Sequence, residues 1–265
     1  MSLLSLPLAP HAWSSWLANV DTGQTIRAIV RLLLGHGARC ESNPVDLTLH
    51  HGPFGRVIAT TVLSQRRLAR VCVAELRAPF RSDGIVVVAQ PHTSIDAPIL
   101  VADLIVNRRG NTRVYLDAVG PASRSGAGHD LFRSELVRVL LRAPDLRKAS
   151  APAWIAPLSL GATARFRAHP RKGGHLANLL VEYTRAYLAA LDDAPAAIST
   201  RQNREQQRAV RNAFVHYGYA EPMLGGLFGA SFAERFIKLM WDLPLVQNDQ
   251  PHAPPAKVGV KIGDA

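Results

Sequence analysis

The chain has 265 residues, 48% of them hydrophobic, which is long enough to bury a core without disulfides or a structural metal. The 31 Lys and Arg residues outnumber the 20 Asp and Glu residues, and the formal net charge of +11 favours an anionic partner. The sequence has no apolar run long enough to span a membrane and no helix-turn-helix, zinc-finger or RNA-recognition pattern, so we expect neither a membrane nor a nucleic-acid partner.

The first part of the chain, residues 1–44, is predicted to be helical. Residues 9–19 are expected to form a short helix. Asp21 is a good N-cap, and Gln24 follows three residues later as in a capping box. A second helix is therefore predicted over residues 22–35, with its apolar residues on one face.

Two features indicate a cytoplasmic protein. The first residues lack the basic and continuous apolar regions of a signal peptide. The two cysteines, Cys40 and Cys72, fit a reducing compartment, although a single disulfide between them is possible.

A series of short segments rich in apolar and β-branched residues predicts a meander of about six strands. Turn-forming residues separate them, for example at 51–53 and 108–111. Short connections join antiparallel neighbours, so the sheet is expected to be mostly antiparallel. The predicted strands are residues 45–50, 57–63, 68–76, 85–89, 99–106 and 112–119.

The rest of the chain is mainly helical, with one more strand predicted at 159–167. Helices are predicted at 130–141, 175–191, 201–216 and 224–242. Strands flanked by helices predict the α/β class, as a three-layer α/β/α sandwich with a central, mostly antiparallel sheet. We expect a single domain over residues 1–247. A disordered tail, rich in Pro, Gly and Lys, is expected over residues 248–265.

Two carboxylates lie where the strand pattern favours apolar residues. Asp103 is in the middle of one predicted strand and Asp117 is near the end of the next. An ionised carboxylate inside a sheet is costly unless it is paired or functional. A turn cap or a solvated position explains Asp117 more simply, whereas for Asp103 the structural and functional interpretations both remain open.

No phosphate-binding loop, dinucleotide fingerprint, nucleophile elbow or metal-binding motif is present. We therefore expect no metal site. An enzyme built on this chain would rely on isolated carboxylates and histidines for acid–base chemistry.

Two separate segments resemble the ferredoxin-dependent bilin reductases. The first has Pro91, then Asp96-Ala-Pro98-Ile99, Ala102-Asp103-Leu104-Ile105, and a strand ending Leu116-Asp117 before Pro121. The second, at 227–236, reads Leu-Phe-Gly-Ala-Ser-Phe-Ala-Glu-Arg-Phe and resembles the last helix of the family. The resemblance extends over residues 45–242 and is strongest to the phycocyanobilin-forming branch.

The resemblance implies reduction of biliverdin, a linear tetrapyrrole, to a phytobilin. Electrons would come singly from reduced ferredoxin, and the protein would supply protons without a tightly bound cofactor. Asp103 falls on the aspartate that is implicated in protonating the bilin in this family, and Glu75 falls on an acidic residue of the neighbouring strand. A solvated strand residue before a turn explains Glu75 equally well. The basic surface would suit an acidic ferredoxin, and a monomer is expected.

The same resemblance identifies residues that would bind the substrate. Arg167 lies near the arginine that binds a propionate in the family, with Arg165 as a rival on the same face. Val86 occupies the position of a histidine in the most similar branch, which removes one proton donor. His92 could supply part of that proton from the pocket rim, or could be a solvent-exposed turn residue.

A second departure lies before the final helix, where several members have an aspartate near the position of Gly218. His216, Tyr219 or Glu221 could replace it. Both departures leave open a non-catalytic tetrapyrrole-binding protein of the same fold. A reductase of chlorophyll catabolites would share the fold, and the basic charge alone would also suit a nucleic-acid-binding protein, which the resemblance disfavours.

Overall fold

The computed structural model describes residues 20–78, 82–107, 109–120, 127–144, 147–148, 153–218 and 220–241. The helix predicted at 9–19 and the tail predicted at 248–265 lie outside these residues. None of the helices within the described ranges is long and apolar enough to cross a membrane.

In the described part of the chain, nine strands form one antiparallel sheet. Their order is β1-β3-β4-β5-β6-β7-β9-β8, and β2 also pairs with β3. The strands are β1 Arg39–Cys40, β2 Leu49–His51, β3 Val57–Ser64, β4 Leu68–Ala78, β5 Ser82–Pro91, β6 Ile99–Asn107, β7 Thr112–Val119, β8 Arg147–Lys148 and β9 Ala164–Ala168.

Helices cover both faces of the sheet, which confirms the predicted three-layer sandwich. The helices are α1 Thr22–Gly35, α2 Val45–Thr48, α3 Ala127–Leu141, α4 Gly173–Asp193, α5 Thr200–Tyr217, α6 Ala220–Phe228 and α7 Ala230–Met240. Helices α1, α3 and α4 share one apolar core with the sheet, on what we call the first face. Helices α2, α5, α6 and α7 share a second core on the opposite side, the second face.

Side chains alternate between the two faces along each central strand, as the pleat requires. On β6, Ala102 and Leu104 belong to the core of the first face, whereas Ile99 and Val101 belong to that of the second. Asp103 therefore points to the second face.

Local sequence explains how helix α1 begins. The Asp21 carboxylate accepts a hydrogen bond from the Gln24 backbone N–H at 2.8 Å, which confirms the predicted N-cap. Ile26, Ile29 and Leu33 are buried on the side that faces the sheet. The disulfide considered above is absent, because Cys40 and Cys72 are both free thiols.

Four of the predicted central strands, at 57–63, 68–76, 99–106 and 112–119, are confirmed within a few residues. The strand predicted at 85–89 is longer and includes Pro91. The strand predicted at 45–50 is wrong, because helix α2 occupies most of it before the short strand β2. The apparent alternation misled us here, since Val45 is 86% exposed and only Leu47 is buried within the helix.

Two glycines explain the other differences. The strand predicted at 159–167 is restricted to β9, because Gly161 has a φ of 76° and takes the chain out of the extended conformation. The helix predicted at 224–242 is divided into α6 and α7 at Gly229, whose φ is 95°. A residue with a side chain would be strained in either backbone conformation.

Candidate functional site

A row of four residues crosses the second face at the level of Asp103. Val86 on β5 pairs with Asp103, which pairs with Tyr115 on β7, which pairs with Arg165 on β9. Directly opposed residues of an antiparallel sheet have Cβ atoms about 5 Å apart. The sheet therefore brings an apolar side chain, a carboxyl group, a phenol and a guanidinium together.

This part of the second face is less covered than the rest. Helix α7 approaches the far end of β5, where the Gln90 side-chain amide donates to the Met240 carbonyl at 3.3 Å. Val88 and Val101 at that end are buried. Five side chains further along the same face are only partly buried, and we call them the open strip: Val86, Asp103, Ile105, Tyr115 and Arg165.

Burial and nearby charges set the protonation of Asp103. Burial raises the pKa of its carboxyl group from 3.8 to about 7, while Arg113, Arg165 and a hydrogen bond from the Tyr115 backbone oppose that rise. The group therefore keeps its proton up to near-neutral pH. A partly exposed acid with such a pKa can donate a proton to a molecule bound against the strip.

Three arginines lie on the second face beside Asp103. Arg165 is in the row of Asp103, and Arg167 pairs with Arg113 one step along β9. The side chains of Arg113 and Arg167 are exposed. Both residues that the sequence offered for anion binding thus lie on the expected face, and Arg113 is a third that sequence reasoning missed.

Glu75 is not part of this site, which corrects the prediction that it supports Asp103. It pairs with Ile85, whose side chain belongs to the first face, and it is bound there by α1. The Thr22 hydroxyl donates to its carboxylate at 2.8 Å, and the Arg77 guanidinium forms an ion pair with it at 2.7 Å. The sheet itself separates Glu75 from Asp103.

His92 also lies away from Asp103, contrary to the expectation that it supplies protons at the pocket rim. It follows the end of β5, six residues beyond Val86, which corresponds to about 20 Å along a strand. Its Nε2 atom is 3.2 Å from the carbonyl oxygen of Gln65, in the turn between β3 and β4.

If the protein acts on biliverdin, as the sequence resemblance implies, we expect His92→Gln to leave biliverdin affinity and the pH dependence of turnover unchanged. Glutamine keeps a group that can hydrogen-bond to the Gln65 carbonyl, so the turn should also remain intact. Absorbance titration with biliverdin and initial rates at several pH values would check this. An altered pH profile in this variant would show that His92 does take part in proton supply.

Val86 and His216 have different relations to the site. Val86 is directly opposite Asp103, so a side chain at this position would contact any molecule that Asp103 contacts. His216 is exposed near the end of α5, in the helical layer over the second face, with its ring edge-on to Tyr217 at 4.6 Å. No hydrogen bond connects His216 with the open strip within the described structure.

Tyr115 and Asp117 are the residues that sequence reasoning undervalued. The Tyr115 hydroxyl donates to the Asp117 carboxylate at 2.7 Å, and Asp117 is completely buried. The register of the hairpin between β6 and β7 was the available signal. A turn centred at residue 109 places Tyr115 opposite Asp103.

In the described part of the chain, no cluster of three His, Cys, Asp or Glu side chains could hold a metal ion. Independently of this, the geometry allows proton donation from Asp103, beside a group of arginines, to a molecule lying against the sheet.

The sequence matches no protein-family model and no curated protein. The fold, in contrast, is similar to a solved structure of phytochromobilin synthase from tomato in complex with biliverdin. The TM-score is 0.70, with 13% sequence identity, over 84% of this chain and 83% of that chain. This similarity establishes a shared fold.

Proposed function

We propose that this protein is a bilin reductase that reduces biliverdin with electrons from ferredoxin. The proposal starts from a fold shared with a protein whose structure contains biliverdin. The single observation that carries it is Asp103, an acid with a pKa near 7 in the open strip of the sheet. A carboxyl group at this position is costly unless it is paired or has a function.

In the proposed reaction, each two-electron reduction takes two electrons, delivered singly, and two protons. Asp103 donates a proton to the bilin and becomes a carboxylate, which must regain a proton before the next transfer. The neighbouring Arg113 and Arg165 stabilise the carboxylate that forms, because opposite charges favour the ionised state.

The arginines have a second role in this proposal, which is to orient the substrate. The propionate side chains of biliverdin are carboxylates, and a guanidinium binds a carboxylate through two parallel hydrogen bonds. Arg167 and Arg113 are exposed on the same face as Asp103 and are our choice for this contact.

The proposal does not extend to the phycocyanobilin-forming branch. The fold comparison is with a phytochromobilin synthase, and Val86 provides no proton in the position directly opposite Asp103. The absence of a proton donor at position 86 also favours one alternative, a protein that binds the tetrapyrrole without reducing it.

One experiment tests both functions. Purified protein is mixed with biliverdin, its absorption spectrum is recorded, and reduced ferredoxin is then added. A bilin reductase shifts the spectrum on binding and again on reduction, with a new product by chromatography. A binding protein gives only the first shift, and a protein that gives neither contradicts the proposal.

Turnover with ferredoxin is expected to fall as the salt concentration rises. The chain carries a formal charge of +11, and exposed charges are screened beyond about 10 Å at about 0.1 M salt. An acidic ferredoxin would therefore dock more weakly at high salt. Steady-state rates over a salt series would measure the effect.

A small uncharged reductant in place of ferredoxin is the control, and its rate should change much less with salt. If ferredoxin-dependent turnover is equally insensitive to salt, the basic surface does not guide this partner.

A further inference from the structure

Asp117 is a buried carboxyl group that the proposed reaction does not use. It is 0% exposed and lies next to Tyr115 on the second face of β7. The Ser159 hydroxyl donates to Oδ1 at 2.9 Å, and Tyr115 donates to Oδ2 at 2.7 Å. The Thr163 side chain and the Ala118 backbone also bond to it. The carboxyl group is thus enclosed by hydrogen-bond donors, away from water.

Tyr115 connects this enclosed group with the open strip. Its side chain is only partly buried, and it pairs directly with Asp103 across the sheet. Its hydroxyl reaches Asp117 in the other direction. One phenol therefore lies directly across from a carboxyl group of the open strip and donates a hydrogen bond to a carboxyl group outside the strip.

We propose that Tyr115 and Asp117 form a proton relay, in which Asp117 stores a proton and the Tyr115 hydroxyl passes it to Asp103 or to a bound bilin. The second part rests on the proposed function, because a bilin is what consumes the proton. Tyr115 contacts the site directly. Asp117 acts through Tyr115 and is a positioning residue.

The transfer leaves Tyr115 neutral. When Asp117 is protonated, its O–H donates to the Tyr115 oxygen, and the hydrogen of the phenol is free to point towards the open strip. One proton then moves from Asp117 to the phenol oxygen as the original phenol proton leaves for the acceptor. Asp117 ends as a carboxylate, the acceptor gains one proton, and no electron moves.

The protonation preferences of the pair support this direction of transfer. Burial raises the pKa of Asp117 to about 6, although hydrogen bonds from Tyr115, Thr163 and Ser159 oppose the rise. Burial, followed by the charge of Asp117, raises the pKa of Tyr115 well above its ordinary value. Asp117 can therefore gain and lose a proton near neutral pH while Tyr115 stays a phenol.

Other titratable or charged groups face the pair from four elements. Asp103 faces it from β6, and Arg165 lies beside Tyr115 on β9. Arg113 precedes Tyr115 on the same face of β7. Tyr183 on α4 lies close enough for the charge of Asp117 to contribute to the rise in its pKa. A titration of Asp117 must therefore be separated from that of Asp103.

The first test uses the protein without bilin. Carbon-13 is placed at Cγ of aspartate and Cζ of tyrosine, and NMR follows both during a pH titration, with Asp117→Asn and Asp103→Asn assigning the signals. We expect the Tyr115 signal to follow the titration of Asp117. In Tyr115→Phe, the Asp117 pKa should rise by about one unit, because the ionised form loses a donor. The relay is overturned if the Tyr115 signal does not change as Asp117 titrates, or if the Asp117 pKa is the same in Tyr115→Phe as in the wild type.

The second test measures bilin reduction against pH. Wild-type turnover should fall in two steps as pH rises, one for Asp117 and one for Asp103. Asp117→Asn should lose the first step, and its turnover below that step should fall by about tenfold, less than for a direct proton donor. Tyr115→Phe should behave in the same way.

Tyr187→Phe is the matched control. It also removes a buried tyrosine hydroxyl, which donates to the Pro98 carbonyl at 2.8 Å, but its side chain packs in the core of the first face. Its pH profile should equal that of the wild type. An unchanged profile in Asp117→Asn rejects the relay and leaves the proposed function intact. If the Tyr115 signal follows the titration of Asp117 in the first test but the protein reduces no bilin, the relay is supported and the proposed bilin reduction is rejected.

Discussion

Replacing Asp103 with Asn is expected to lower biliverdin reduction by about 100-fold to 10,000-fold, the range that a positioned proton donor contributes. Asparagine keeps the size and hydrogen-bonding capacity of the side chain but has no acidic proton. Biliverdin should still bind, with an altered absorption spectrum. The first electron can still enter the bilin, so a bilin radical should accumulate and be detectable by electron paramagnetic resonance.

Asp46→Asn is the control for this change. Asp46 is exposed, forms an ion pair with Arg235 at 2.6 Å, and lies outside the open strip, so turnover should be unaffected. Reduction by Asp103→Asn at the wild-type rate would show that Asp103 is not the donor. A variant that fails to fold would show that the carboxyl group is structural.

The stability of Asp103→Asn should depend on pH differently from that of the wild type. The pKa of Asp103 is 3.8 in an unfolded chain and about 7 in the fold, so the folded state binds more protons between these values. The wild-type free energy of unfolding therefore falls as pH rises through this window, and outside it Asp103 adds nothing to the pH dependence. Asp103→Asn lacks this contribution, which denaturant unfolding at several pH values would measure.

Arg77→Leu is expected to lower the free energy of unfolding by about 3 to 5 kcal/mol. Arg77 is 8% exposed and pairs with the Glu75 carboxylate, whose side chain is 12% exposed. Removing the guanidinium leaves Glu75 as a buried charge with only the Thr22 hydroxyl as a remaining donor among the contacts described above. Denaturant unfolding would measure the loss, and the melting temperature should fall by on the order of 10 °C.

The double variant Glu75→Leu with Arg77→Leu should be more stable than Arg77→Leu alone, because no charge is then left unpaired. Activity per folded molecule should be unchanged in both variants, since the pair is on the first face. A loss of activity per folded molecule would indicate that Glu75 takes part in the reaction.

The sheet was the most predictable part of the fold. Strong β-branched runs with short turns between them, as in β6 and β7, allow few arrangements other than antiparallel neighbours. The N-cap at Asp21 was equally readable, because its hydrogen bond is made within four residues. Local interactions decide such features, and local sequence therefore contains them.

Features set by distant contacts or by one backbone angle were not readable. Nothing around Gly229 shows that its φ is positive, so α6 and α7 were joined into one helix. The segment at Val45 has the alternation of a strand, but the chain turns helical directly after Pro44. In both places the backbone conformation at one point of the chain decided which helix or strand formed.

The site was predictable residue by residue but not as an assembly. Asp103 is on a strand and belongs to the open strip, whereas Glu75 on a nearby strand points to the opposite face. A shift of one residue in register reverses the face of every side chain in a strand, so the sequence position of Glu75 was too weak a guide.

The two faces of the sheet are covered unequally, so substitutions are tolerated at some strand positions and not at others. On β6, Leu104 is fully buried, and truncating such a side chain costs about 2 to 5 kcal/mol. Its neighbours Asp103 and Ile105 in the open strip are only partly buried, so truncating either side chain removes less packing. Along a single strand, the buried positions are thus constrained by stability, whereas the positions between them can change more freely. A lineage of such proteins could acquire new substrates by altering the strip while the opposite side of the same strands stays constant.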